Sequence, residues 1–183
     1  MQEIDTQFGT VSIVNEPAYS FNSKDNVRKY GLELLLTRGQ PTSVHGIALN
    51  ATGIIVVGAD GGCSSVHDRS ALVLNDRLYL AVGDHAACLS LSSPHGLVWS
   101  TRVDMATCFG LYWESSRGFL ISHGELEISR LSLEGNLVWQ ASGADVFSED
   151  FRLLPRYIEA VDFNRSVYRL DYVTGEVIAS ISG

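Results

Sequence analysis

"HGELEISRLSLEGNLVWQASG", residues 123–143, splits around Glu134-Gly135-Asn136. Ahead of that point Ile128 to Leu133 alternates apolar and polar residues; after it comes Leu137-Val138-Trp139. Two short apolar runs joined by residues that accept positive φ at little cost are the chemistry of a β-hairpin.

The same grammar recurs in "LNATGIIVVG" (49–58), "LSSPHGLVWS" (91–100) and "LDYVTGEVIAS" (170–180). The turn glycines Gly53, Gly96, Gly135 and Gly175 stand 43, 39 and 40 residues apart. A period near 40 is the length of one four-stranded propeller blade. The upstream halves agree: "LVLNDRLYLAVG" (72–83), "LYWESSRGFLISHG" (111–124) and "FRLLPRYIEAVD" (151–162) are each an apolar run, a tight turn and a second apolar run. Three units are legible from Ser70 onward, and a looser first one uses Thr10–Val14, Tyr30–Leu36 and the two strands flanking Gly53.

The expectation is therefore an all-β fold of about four blade-like, antiparallel, four-stranded meanders of ~40 residues, arranged like a propeller. It is one domain over 1–183, with units near 10–58, 70–101, 107–141 and 150–181. Such units form a small closed propeller, combine with those of a second copy, or pack as an unclosed stack, whose exposed edge strands are a hazard that closure or dimerisation removes. The fourth strands are apolar on consecutive positions, which predicts that both of their faces are covered. "EPAYSFNSKDNVRKYG" (16–31) reads as a long polar loop; the alternative is a short helix capped by Ser23 and ended by Gly31.

The stretches "VYRLDYVTGEVIAS" (167–180), "GNLVWQ" (135–140) and "GLVWS" (96–100) resemble the blade motif of quinoprotein-type, PQQ-like β-propellers. The resemblance implies blade geometry. The cofactor-binding dehydrogenases of that family have about eight blades, a calcium site and an adjacent cysteine pair, whereas this sequence has about four units and no Cys-Cys. The resemblance thus implies no quinone cofactor, and points by analogy to members that act as binding scaffolds.

Of 183 residues 45% are hydrophobic and 19% charged, with a net charge of -8. No Lys/Arg cluster is present to displace phosphate counterions, so no nucleic-acid partner is expected. Cys63, Cys88 and Cys108 form no disulfide framework, no apolar run is long enough for a membrane span, and the polar start shows no signal peptide. A soluble cytoplasmic protein is expected, with a protein partner or a homodimer and no membrane partner.

The most unusual stretch is "GADGGCSSVHDRSA" (58–71), which packs Cys63, His67 and Asp68 into a glycine-rich connection. It lacks the Gly-Lys-Ser/Thr of a P-loop. Cys63-x3-His67 with His85-x2-Cys88 supplies four zinc-type ligands, at a spacing that matches no finger pattern. A hydrolytic set would draw on Ser64 or Ser65, on His67 or His123, and on Asp60, Asp68 or Asp84, yet no G-x-S-x-G elbow occurs. Trp113 and His123, in "FGLYWESSRG" (109–118) and "ISHGELEISR" (121–130), are candidates for partner contact because aromatic rings near turns offer large area with a polar tip. The repeat makes His123 a turn residue. The leading expectation is a non-catalytic interaction or scaffold protein with no catalytic, cofactor or metal residues, its contacts drawn from Cys63, His67, Asp68, Trp113 and His123. The alternative is a small-molecule-binding or hydrolytic protein using loop 58–71.

Overall fold

The computed structural model describes residues 1–183 and contains seventeen strands and no helix. The first sheet holds β1 (Gln2–Thr6), β2 (Gly9–Asn15), β3 (Leu32–Leu35), β4 (Ser43–Leu49) and β5 (Thr52–Ala59) in the order β1-β2-β4-β5-β3. The second holds β6 (Ala71–Leu74), β7 (Arg77–Val82), β8 (His85–Ser90) and β9 (Gly96–Arg102). The third holds β10 (Cys108–Glu114), β11 (Phe119–Gly124), β12 (Glu127–Leu131) and β13 (Leu137–Ser142). The fourth holds β14 (Phe151–Leu153), β15 (Ile158–Val161), β16 (Val167–Leu170) and β17 (Val177–Ile181). Sheets two to four are plain antiparallel meanders, as the period predicts.

The first sheet departs from that plan. Its leading strand is β1, ahead of the expected start near residue 10, and Leu32–Leu35 does not sit inside the meander. β3 instead lies parallel to β5 at the sheet's outer edge, Leu32 opposite Ile55 and Leu34 opposite Val57. Leu32, Leu34 and Leu36 thereby reach the core while Glu33 points away from it and accepts the Tyr19 hydroxyl. Residues 16–31 form a helix-free loop.

Burial comes from sheet-on-sheet stacking, with three apolar clusters at three seams. Val11, Ile13, Ile47, Ile55 and Val57 of the first sheet meet Leu78, Leu80, Val82 and Leu89 of the second. On its other side the second sheet sends Tyr79, Ala81 and Cys88 against Cys108, Leu111 and Leu120 of the third. Phe119, Ile121 and Ile128 of the third meet Ile158, Ala160, Tyr168 and Leu170 of the fourth. Neither an apolar cluster nor a backbone hydrogen bond joins the fourth sheet to the first, so the stack is an open arc.

The first strands lie on the inner side, where neighbouring sheets touch (β10 against β6 and β7, β1 against β6). The last strands lie outside. Leu97 and Val98 of β9, Leu137 and Val138 of β13, and Val177 and Ile178 of β17 are exposed, so the expectation of two covered faces fails there. The sheets splay outward, and nothing packs over the outer ends of these strands.

Candidate functional site

Inner strands β10 and β14 border a groove of about 370 Å³ lined by Arg69, Tyr112, Trp113, Phe151, Arg152 and Leu153. Alternation along β10 sends Tyr112 toward the fourth sheet and Trp113 toward the second. Tyr112 packs on Phe151 at 4.7 Å between ring centroids, and the Arg69 guanidinium lies 5.2 Å from the Tyr112 ring centre. A cation over an aromatic face is attracted by the ring quadrupole. Arg152 sits at the rim, 3.2 Å from the Glu159 carboxylate. Burial pushes the Tyr112 hydroxyl up, so it stays a protonated phenol.

The aromatic row continues inward. His123 stacks on Phe151 at 4.5 Å with rings nearly parallel, and Phe109 meets His123 edge-on at 5.5 Å. His123 lies within strand β11 and is buried, which corrects its expected place in a turn. Its Nε2 is 3.0 Å from the Phe147 carbonyl, which can only accept, so Nε2 carries the proton. Burial lowers its pKa to about 4, so the ring is neutral near pH 7.

Loop 58–71 crosses from β5, next to the outer edge strand of the first sheet, to the inner strand β6 of the second. His67 donates from Nε2 to the Phe109 carbonyl at 2.7 Å, and its Nδ1 accepts the Arg69 N–H at 3.2 Å. Both ring nitrogens are therefore spent holding the backbone that presents Arg69. Asp68 is exposed, and its backbone carbonyl accepts from Gln2 Nε2 at 3.1 Å. Cys63 is an exposed free thiol, whereas Cys88 is buried and its thiol is pushed up to about 11 by desolvation. The two halves of the zinc-type set are not brought together: no three His, Cys, Asp or Glu side chains converge.

The hydrolytic set is rearranged rather than assembled. Ser64 Oγ has neither His67 nor His123 beside it; its neighbour is buried His45, with Nε2 at 3.5 Å. Ser64 Oγ also accepts the Gly83 N–H at 3.0 Å, and His45 Nδ1 has no partner, so no carboxylate orients the ring. Asp84 is engaged elsewhere, with Arg102 at 2.7 Å and His85 at 2.6 Å.

Of the five candidate contacts, the structure links His67, Trp113 and His123 through one aromatic neighbourhood and leaves Cys63 and Asp68 outside it. Arg69, Tyr112 and Phe151 complete that neighbourhood. Phe151 lies 28 residues beyond His123, and no local pattern announces that the two stack.

Fold and groove together define an all-β repeat protein of blade-like sheets set in an open arc. No protein-family model and no curated protein matches the chain. Among solved structures it is similar to a europium-containing methanol dehydrogenase, with a TM-score of 0.50 and 16% identity over 62% of this chain and 24% of that one. It is also similar to the computationally designed Ika8 protein, with a TM-score of 0.54 and 9% identity over 80% of this chain and 48% of that one. The chain thus spans about a quarter of the first and about half of the second. At these identities the likeness shows the fold alone, which agrees with a fold-level resemblance to propeller blades. No helix is long and apolar enough to cross a membrane.

Proposed function

We propose that the protein is a non-catalytic, β-propeller-like interaction module that receives a protein partner in the groove between β10 and β14. The observation that carries this reading is the bed of Tyr112, Trp113 and Phe151 with guanidinium groups at its rim, open on the arc's inner side. Aromatic and arginine side chains supply much of the energy at protein contacts, because they bury large area and pair with carboxylates. The candidate reactive groups nearby are committed to architecture, His67 to two backbone groups and His123 to a carbonyl.

Arg69→Glu changes an exposed residue outside the core and tests the reading. Affinity capture with the wild-type protein should recover a partner that the variant loses, while both melt alike. Equal recovery by both proteins, or turnover in an enzyme screen with no partner recovered, would overturn it. The second reading, a hydrolytic or small-molecule site at loop 58–71, draws on Ser64 beside His45. Any turnover or ligand binding that survives in Ser64→Ala removes that reading.

A further inference from the structure

Two of the three interior seams share a contact whose counterpart at the free end of the first sheet is made in an unusual way. At the seam between sheets two and three, the Trp99 ring lies over Gly135, the indole N–H donates to Leu133 C=O at 2.8 Å, and Thr101 Oγ1 donates to Gly135 C=O. At the next seam, Trp139 lies over Gly175 and donates to Tyr172 C=O at 3.1 Å. The second and third sheets therefore each clasp the turn glycine of the following sheet, whereas nothing lies over Gly96 of the second. Gly53 holds that place in the sequence period of the first sheet, although it lies within β5 and Ala51 takes the positive-φ turn position, and no sheet precedes it in the structure.

Residues 16–31 take that place. The Lys29 carbonyl and the Tyr30 ring lie against Gly53, the Tyr30 hydroxyl end fills the space a side chain would need at Gly46, and Phe21 does the same at Gly58. Gly31 N–H donates to Gly53 C=O at 3.2 Å, meeting the acceptor that its counterpart Gly135 offers to Thr101. Glu16 bolts the loop down, accepting from the Tyr30 hydroxyl at 2.5 Å and pairing with Arg28 at 3.0 Å. Three glycines with no room for a Cβ make this face one that something must approach closely.

We infer that residues 16–31 are an intramolecular cap that imitates a preceding sheet and masks a sheet-docking face, and that the occupant it excludes is the fourth sheet of a second copy. That face is the side of the first sheet turned away from the second: the cap covers Gly46 on β4, Ser12 and Val14 on β2 and Ala48 on β4 stand beside it, and Glu3 and Asp5 on β1 remain exposed. The free face of the fourth sheet carries Arg152 on β14, Glu159 and Val161 on β15, Val167 and Arg169 on β16, and Ala179 and Ile181 on β17. Stacked in the same sense as the interior seams, the two inner strands meet, which sets Arg152 against Glu3 and Asp5. Small residues Ser12, Gly46 and Ala48 then oppose the longer Val167, Arg169 and Ile181. Arg152, which pairs with Glu159 in the open arc, thereby gains Glu3 and Asp5 as further partners. Two copies joined this way at both ends close a ring; with the cap in place each copy stays an open arc.

The inference is independent of the groove, and its test reads mass rather than partner recovery. Light scattering over a wide range of concentration should show the wild-type protein as a monomer. The Phe21→Ala/Tyr30→Ala variant, its folding checked by the near-ultraviolet signal of its tryptophans, should self-associate. Adding Arg152→Glu to that variant should return it to monomer, as should adding Glu3→Arg with Asp5→Arg. An equimolar mixture of those two charge-reversed proteins should regain the doubled mass, because each then presents the complement of the other. Should the double variant lose its near-ultraviolet signal, Tyr30→Ala alone carries the same test, since it uncovers Gly46 while Phe21 still holds the loop against Gly58. A folded uncapped variant that stays monomeric, a wild-type protein that associates equally, or assemblies indifferent to Arg152→Glu would each overturn the inference.

Discussion

Four glycines recur at one place in the repeat, and the structure gives them different duties. Gly135 has φ 85° and lies under the Trp99 ring; Gly175 has φ 75° and lies under Trp139. Gly96 has open space where a Cβ would stand, because the first sheet places Ile55 where the second and third sheets place tryptophan. Gly135→Ala is expected to cost about 2–4 kcal/mol, from a strained φ and displacement of the indole. Gly96→Ala should be neutral, or stabilising by a few tenths of a kcal/mol through a less flexible unfolded chain. Urea denaturation of the two variants side by side checks this; equal losses would contradict it. Trp139→Ala removes both a ring and a buried hydrogen bond at a seam and should cost about 3–5 kcal/mol. From sequence the four glycines look equivalent, since the repeat shows where they fall. What lies above each is set by the neighbouring sheet.

Single strands and loops bring in the non-local part. The meanders of sheets two to four are legible because each is closed by local turns, Asn75-Asp76 for example with Asn75 at φ 56°. β3 is not, because the chain leaves β2 for a 16-residue detour (residues 16–31) before β3, which then pairs in parallel with β5, a choice that apolar periodicity does not encode. The groove is equally hidden: Trp113 and His123 stand out as residue types, but Phe151 joins them only through stacking of the third and fourth sheets. That stacking buries His123, and loop 58–71 against β4 buries His45, each with its pKa lowered to about 4 by desolvation. An unfolded histidine titrates near 6.5, so between about 6.5 and 4 the unfolded chain binds protons that the folded chain refuses. The stability these two groups provide is complete above pH 6.5 and falls as pH drops toward 4, by up to about 3 kcal/mol each. Buried Asp104, whose pKa is raised by desolvation, acts in the opposite sense in the carboxylate range. Urea midpoints measured from pH 7.5 downward should decline along this window, and the decline should shallow in His123→Phe, which keeps the aromatic stack and removes the titration. An unchanged slope in that variant would show that His123 is not the group responsible.

For the whole molecule, an open arc has three seams where a closed ring of four sheets would have four. Each sheet leans only on its sequence neighbours, so stability is close to a sum of sheet terms and seam terms, as in other repeat proteins. Damage at one end then has no short route to the other. Ile158→Ala opens a hole in the third seam among Phe119, Ile121 and Leu170, and Leu80→Ala does so in the first among Ile47, Ile55 and Leu89. Each should cost about 2–5 kcal/mol, depending on how far the seam collapses. In a closed ring both would loosen all four sheets nearly alike, since the first and fourth would share a fourth cluster. In the arc, native-state hydrogen exchange should rise after Ile158→Ala mainly in β14 to β17 and β11 to β12, with the amides of β2, β4 and β5 close to wild type. Leu80→Ala should give the mirror image, leaving β15 and β16 protected. The seams are far enough apart to share no partner, so the double variant should lose the sum of the two single costs to within about 0.5 kcal/mol. A pattern in which either substitution deprotects the far end as much as the near one would mean that first and fourth sheets support each other in solution, and that the arc closes there.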